Sequence, residues 1–154
     1  MRIPTENRAE PLPQPVQASK ASIHAPTRLP ADADYALAHF ERRIPICADE
    51  SCRTLADLDR LIGKYEAINI KLDKAGGLTE ALALAAEAKR RGLRITVSGM
   101  ISTSLGIAPA LLVSQQADIM DLDGPLHLTS DRGAGLRYDG SMSTAVEFQA
   151  SVAE

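Results

Sequence analysis

The chain of 154 residues contains no tryptophan, and aromatic residues make up only 3% of it. Its hydrophobic share of 45% is therefore almost wholly aliphatic. That share, at this length, is enough for the core of one domain. Only two cysteines occur, Cys47 and Cys52, with no Cys or His partner at zinc-like spacing. Two buried, reduced thiols are the expectation. No apolar run reaches the 18 or so residues of a membrane-spanning helix. Lys and Arg number 17 against 20 Asp and Glu, a net charge of -3, so no basic stripe points to nucleic acid. The first residues, Met1 to Glu6, lack the apolar segment of a signal peptide, and a cytoplasmic protein is expected. No Gly-x-Gly-x-x-Gly follows a strand-like segment, and no Walker-type phosphate loop is present, which argues against nucleotide binding.

What is present begins unevenly. Pro4, Pro11, Pro13, Pro15, Pro26 and Pro30 crowd residues 1–30, where no period of 2 or 3.6 survives, so that stretch is predicted to be an irregular lead. A short helix is expected between Ala31 and Arg43. From Ile44 the chain becomes regular. Ile44–Ala48 reads as a short strand. Thr54, with Asp57 three residues on, predicts the start of a helix whose apolar face is Leu55, Leu58, Leu61, Ile62 and Tyr65. Ile68, Ile70 and Leu72 alternate with Asn69, Lys71 and Asp73, the period of a strand, before Gly76 and Gly77. A helix from about Thr79 to Arg91 follows, with cations at its C-terminal end and Gly92 as its stop. Arg94–Ser98 is a third strand. A further helix is expected from near Ala108, because Pro109 is tolerated in a first turn. Ile119–Asp123 is a fourth strand, stopped by Gly124-Pro125, and a short strand is expected around Leu136–Tyr138.

The strand starts at 44, 68, 94 and 119 recur about every 25 residues, the rhythm of a parallel α/β fold. Polar residues gather at the C-terminal ends of these strands: Asp49 and Glu50, Lys71 and Asp73, Ser98, Asp121 and Asp123. Barrels of eight strand–helix units and doubly wound sheets place their sites at that end. A complete barrel needs roughly 250 residues, so four units make about half of one. Asp73 and Lys74 read as a solvated pair at its mouth. His24, His39 and His127 read as surface or loop residues.

Three motifs on successive strand ends carry a resemblance. They are Cys47-Ala48-Asp49-Glu50-Ser51, Asn69-Ile70-Lys71-Leu72-Asp73-Lys74-Ala75-Gly76-Gly77, and Asp121-Leu122-Asp123-Gly124-Pro125. In order and spacing they resemble the C-terminal half of an enolase-superfamily barrel. The subgroup is the muconate-lactonizing type, and within it the dipeptide epimerases acting on L-Ala-D/L-Glu. The resemblance implies residues 31–141 as the C-terminal half of the barrel domain, with residues 142–154 as a tail. It implies a magnesium ion as cofactor, with Asp49 as a ligand and Glu50 behind it. Lys71 matches the acid/base lysine. Asp121 and Asp123 match the pair that holds the α-ammonium of a small dipeptide substrate. Met100 to Ser104 matches a loop bordering the substrate, although Ser98-Gly99-Met100 departs from the Gly-Cys-Met of the pattern. Ser102 to Ser104 fit either substrate contact or capping of the next helix. The implied reaction removes a weakly acidic proton next to a carboxylate, which needs a divalent cation to stabilise the enolate and a lysine with a lowered pKa as base.

The same resemblance implies residues that this sequence lacks. There is no Lys-x-Lys, which carries the opposite-face base in the family; the lysines are Lys20, Lys64, Lys71, Lys74 and Lys89. The strands that supply the other two metal carboxylates are also unmatched; Glu10 is a weak candidate for one of them. The expectation is a truncated chain that does not epimerise by itself. The alternatives are another superfamily racemase or cycloisomerase, or a non-catalytic remnant that needs a partner chain. A homo-oligomer is left open, with neither nucleic acid nor membrane as partner.

Overall fold

The computed structural model describes residues 25–27, 34–39, 41, 43–139 and 142–144. Five strands form one wholly parallel sheet: β1 (Ala25–Thr27), β2 (Ile46–Ala48), β3 (Ala67–Ile70), β4 (Arg94–Ser98) and β5 (Ile119–Asp121). Their spatial order is their order in the chain. A separate antiparallel ribbon pairs β6 (Arg137–Asp139) with β7 (Met142–Thr144). The four expected strands are all present: β4 has the expected bounds, β2 and β5 are each two residues shorter, and β3 starts one residue earlier and ends two earlier. β1 corrects the reading of residues 1–30 as irregular throughout. Three residues of the lead pair with β2, Ala25 opposite Ile46 and Thr27 opposite Ala48. Pro26 has no N–H to give, and an edge strand is where that loss is tolerated. The rest of the lead and the tail beyond 144 lie outside the described residues, including Glu10 and His24.

The helices cover one face of the sheet. Ala48, Ile68, Ile70, Ile95 and Val97 point to that face and are buried there with Leu58, Leu61, Leu84, Ala85 and Val113. The principal helix is α3 (Leu78–Arg90), one residue earlier than the sequence predicts. It buries Ala81, Leu84, Ala85 and Ala88, four positions at helical spacing. The segment after Thr54 is shorter than expected: a 3-10 turn at Leu55–Asp57 leads into α1 (Leu58–Leu61). Asp57 accepts the Thr54 N–H at 2.8 Å, which sets its start. Leu58, Leu61 and Tyr65 are buried, but Leu55 and Ile62 are exposed, so the apolar face is narrower than the sequence implies. Helical structure before Pro109 was not expected; α4 (Ser104–Ile107) precedes α5 (Ala110–Ser114), and Pro109 sits at the N-cap of α5.

Carboxylates close the N-terminal end of the sheet. Glu66, just before β3, accepts the Ile46 N–H of β2 at 2.8 Å. Asp118, just before β5, accepts the Ile95 N–H of β4 at 2.8 Å. Each pins the start of a strand to its neighbour. The opposite, C-terminal ends are left to carry charged side chains.

Candidate functional site

Register decides which side chains share a face. Cys47 pairs with Ala67, Asn69 with Thr96, and Ser98 with Asp121. Paired residues in a parallel sheet point the same way, so these lie opposite the helix-covered face. Two residues beyond Cys47 comes Asp49, and two beyond Asn69 comes Lys71. Asp49, Lys71 and Asp121 thus rise from one face at the C-terminal ends of three strands. Beneath them Asn69 Oδ1 and Ser98 Oγ are buried without a hydrogen-bond partner among the described residues.

Lys71 closes β3. Its backbone is extended, with φ -121° and ψ 126°, and the next residue already begins α2 (Leu72–Ala75). The strand was expected to run to Leu72; it ends at Ile70, and the turn that follows needs Gly76 at φ 88°. That early turn separates Asp73 from Lys71 and brings Lys74 back over the site. Lys71 Nζ donates to Asp49 Oδ2 at 3.0 Å. Lys74 Nζ donates to Asp49 Oδ1 at 3.0 Å and to Glu50 Oε1 at 2.7 Å. The expected solvated pair of Asp73 and Lys74 is therefore corrected: Lys74 is drawn to two carboxylates on the neighbouring strand end, and Asp73 is exposed.

Asp49 is buried, which by itself would raise its pKa. The two ammonium groups outweigh that and hold the carboxyl below the usual range. Glu50 is lowered chiefly by its hydrogen bond from Lys74. Burial works against the charge on Lys74, but Glu50 and Asp49 raise it above the ordinary lysine value. Asp121 goes the other way. It is exposed at the sheet end, but partial desolvation raises its carboxyl first, and neighbouring Asp123 adds to the rise by like charge and by hydrogen bonding. Asp123 in turn meets His127 Nε2 at 3.3 Å. Cys47, lower on the same face, is pushed up to about 12 by burial, and Cys52 likewise, so both are inert thiols.

The site thus has two parts: an ion-paired cluster of Asp49, Glu50, Lys71 and Lys74, and an acidic pair, Asp121 and Asp123. Sequence reasoning named all of these residues but gave Lys74 the wrong partner. Tyr138 was placed only in a short strand, yet its hydroxyl donates to Leu122 O, between the two aspartates, at 2.8 Å. Ser104 is the first residue of α4 and does not cap it: Thr103 stands at the N-cap without a side-chain bond, and the Asp131 carboxylate accepts from the Ser104 N–H and hydroxyl.

Residues 23–140 match the Enolase C-terminal domain-like family. The chain belongs to that family. It is 50% identical over 116 residues to an N-acetyl-D-glutamate racemase of a Pseudoalteromonas species, covering 75% of this chain and 37% of that protein. It is also 50% identical over 110 residues to the L-Ala-D/L-Glu epimerase of Escherichia coli strain K12, covering 71% and 34%. Among solved structures it resembles an enolase family member from Agrobacterium tumefaciens with homology to dipeptide epimerases, holding sodium and L-Ala-L-Glu. There the TM-score is 0.76 at 52% identity, over 79% of this chain and 37% of that one. A dipeptide epimerase from Cytophaga hutchinsonii, complexed with Mg and D-Ala-L-Val, gives 0.68 at 30% identity, over 84% and 39%. The fold is therefore a partial segment of an enolase-superfamily barrel, and the chain spans about a third of the length of the curated relatives it matches.

These relatives bear on the metal. Among the described residues no three His, Cys, Asp or Glu side chains come together as a metal cluster. Both oxygens of Asp49 already meet ammonium groups. The described residues alone do not fit a magnesium ion. No helix among them is long and apolar enough to cross a membrane.

Proposed function

We propose that this chain carries one half of the proton-transfer site of a dipeptide epimerase of L-Ala-D/L-Glu type, with Lys71 as an acid/base group. The observation that carries the reading is the Lys71–Asp49 contact at 3.0 Å on adjacent strand ends of a family member. Once Lys71 has given up its proton and left Asp49, its neutral amine can take a proton from carbon beside a carboxylate at Nζ and return it from the ammonium so formed. A magnesium ion, which the described residues alone do not fit, would supply the positive charge that stabilises the enolate only with ligands from outside them. Asp49 would contribute a single oxygen ligand, and only after Lys71 or Lys74 releases it; the remaining ligands come from outside the described residues. Asp121 and Asp123 would hold the substrate's α-ammonium, with Glu50 and Lys74 keeping Asp49 in place. Inversion needs a base on the opposite face, and the sequence has no Lys-x-Lys to provide it. The chain by itself is therefore expected not to epimerise.

A second reading has its own support. An equally similar relative racemises N-acetyl-D-glutamate. Partial desolvation and the neighbouring Asp123 both act against the charge on Asp121, the direction that suits an uncharged acylamino group at that position.

A chimera tests both readings. Residues 23–140 replace the matching third of the Escherichia coli epimerase, which restores the rest of the barrel. Epimerisation of L-Ala-L-Glu is expected, followed as Cα–H exchange in D₂O with magnesium. Lys71→Met should reduce it by about 10²–10⁴-fold. A folded chimera that exchanges neither substrate, or one unaffected by Lys71→Met, would refute the proposal. Preference for N-acetylglutamate over the dipeptide would favour the second reading.

A further inference from the structure

Leu122 stands between Asp121 and Asp123, just past the end of β5. Its side chain is anchored in the core at 4% exposure. Its backbone has left the sheet. The last ladder-side bond is Gly99 N–H to Asp121 O at 3.0 Å, and the following turn closes with Leu126 N–H to Asp123 O at 2.8 Å. The carbonyl between them accepts from the Tyr138 hydroxyl at 2.8 Å. A buried carbonyl needs such a partner, and here a side chain supplies it. Turning the Leu122–Asp123 peptide would break that bond and swing the Asp123 side chain away from Asp121.

Tyr138 is itself held. It lies on β6, and the segment leading into that strand is tied to the start of α4. Ser104 N–H donates to Asp131 Oδ1 at 3.1 Å, and Leu136 N–H donates to Ser104 Oγ at 2.7 Å. The hydroxyl remains a donor over the working range, since burial, then Asp131 and Asp123, raise its pKa. A strap thus runs from α4 through β6 to the peptide that carries the acidic pair.

We infer that Tyr138 is the positioning residue of the Asp121–Asp123 pair: its hydroxyl, by holding the Leu122 carbonyl, keeps the two carboxylates facing each other. The role assigned to the pair, binding an ammonium, rests on the function proposed above; the positioning does not. Tyr138 touches no reacting atom and acts through Leu122.

The test is the carboxyl titration of Asp121 by ¹³C NMR in the full chain and in Tyr138→Phe. The charged groups bearing on Asp121 are Asp123, His127 and Lys71. With the strap cut, Asp123 moves off and the Asp121 titration falls toward the ordinary range, by about half a pH unit or more. Unchanged titration, or a rise, overturns the inference. Methyl resonances of Leu58, Ile95 and Val113 report whether the core is intact. A measurement on the unaltered chain is independent of the variant: the Leu122 carbonyl ¹³C resonance should show an H/D isotope shift from the Tyr138 hydroxyl, and its absence is equally fatal. Addition of L-Ala-L-Glu, with N-acetylglutamate as comparison, separates the two claims. If neither perturbs Asp121 while Tyr138→Phe still moves its titration, the ammonium reading fails and the positioning stands.

Discussion

Replacing Lys74 by methionine removes the ammonium that joins Asp49 to Glu50 while keeping most of the apolar stem. The two bonds lost are not equal. The Glu50 side chain is 37% exposed, so that arm counts as a surface pair worth about 0–1 kcal/mol. The Asp49 side chain is only 9% exposed, and a hydrogen bond to a charged group there is worth about 1.5–3 kcal/mol. Asp49 keeps Lys71, so it is not stranded, and the lower end of that range applies. The net loss is expected to be about 2 kcal/mol, or about 4–8 °C in Tm for a chain of this size. The pH dependence has a definite sign. Asp49 is depressed in the folded state, so its contribution is present above the unfolded carboxylate value and disappears as pH falls through the folded one. Lys74 is raised, so its contribution is present below the ordinary lysine value of 10.5 and disappears as pH rises through the folded value. The gap between Lys74→Met and the unaltered chain should be widest around neutrality and close toward the acid limit of the folded state. Urea midpoints across that range measure it. A variant that is equally stable at neutral pH, or a loss that does not shrink on acidification, would refute the reasoning.

Other perturbations address the fold and the thiols. Ile68→Ala empties a fully buried position on β3 and should cost about 2–5 kcal/mol, read from the guanidinium midpoint. Gly124→Ala would drive a Cβ into the Met100 carbonyl oxygen, a backbone atom that cannot swing aside, and should lower Tm and shift the amide resonances of Met100 and Asp123 together. Cys47 and Cys52, both pushed up to about 12, should resist a thiol reagent at pH 8 in the native chain and react fully in denaturant.

Much of this was legible in the residues, for local reasons. β-branched and aliphatic runs ending in charge marked β2 to β5, because a strand buried on both faces must show its polar residues only where the sheet stops. Lys71 and Asp49 stood out for that reason. What was missed depended on where the chain bends. Alternation through Ile70, Lys71, Leu72 and Asp73 looks like continuing strand, yet the turn at Gly76 forces a helix from Leu72. The partner of Lys74 followed from that bend and not from composition. β1 escaped notice because three residues containing a proline carry no period. The role of Tyr138 rests on a contact across 16 residues, which spacing along the chain does not reveal.

The sheet order follows the chain without a skip, β1-β2-β3-β4-β5. Each strand therefore meets its partner by closing a loop of similar length, as the spacing from β2 to β5 shows. Loop-closure entropy grows only with the logarithm of length, and equal loops carry equal costs. No pairing has to wait for a distant segment to arrive. Neighbouring units can join in any sequence, and the assembly grows at its edges one strand–helix unit at a time. Folding of this chain should accordingly be faster than expected for a sheet whose central strands come from opposite ends of the polypeptide.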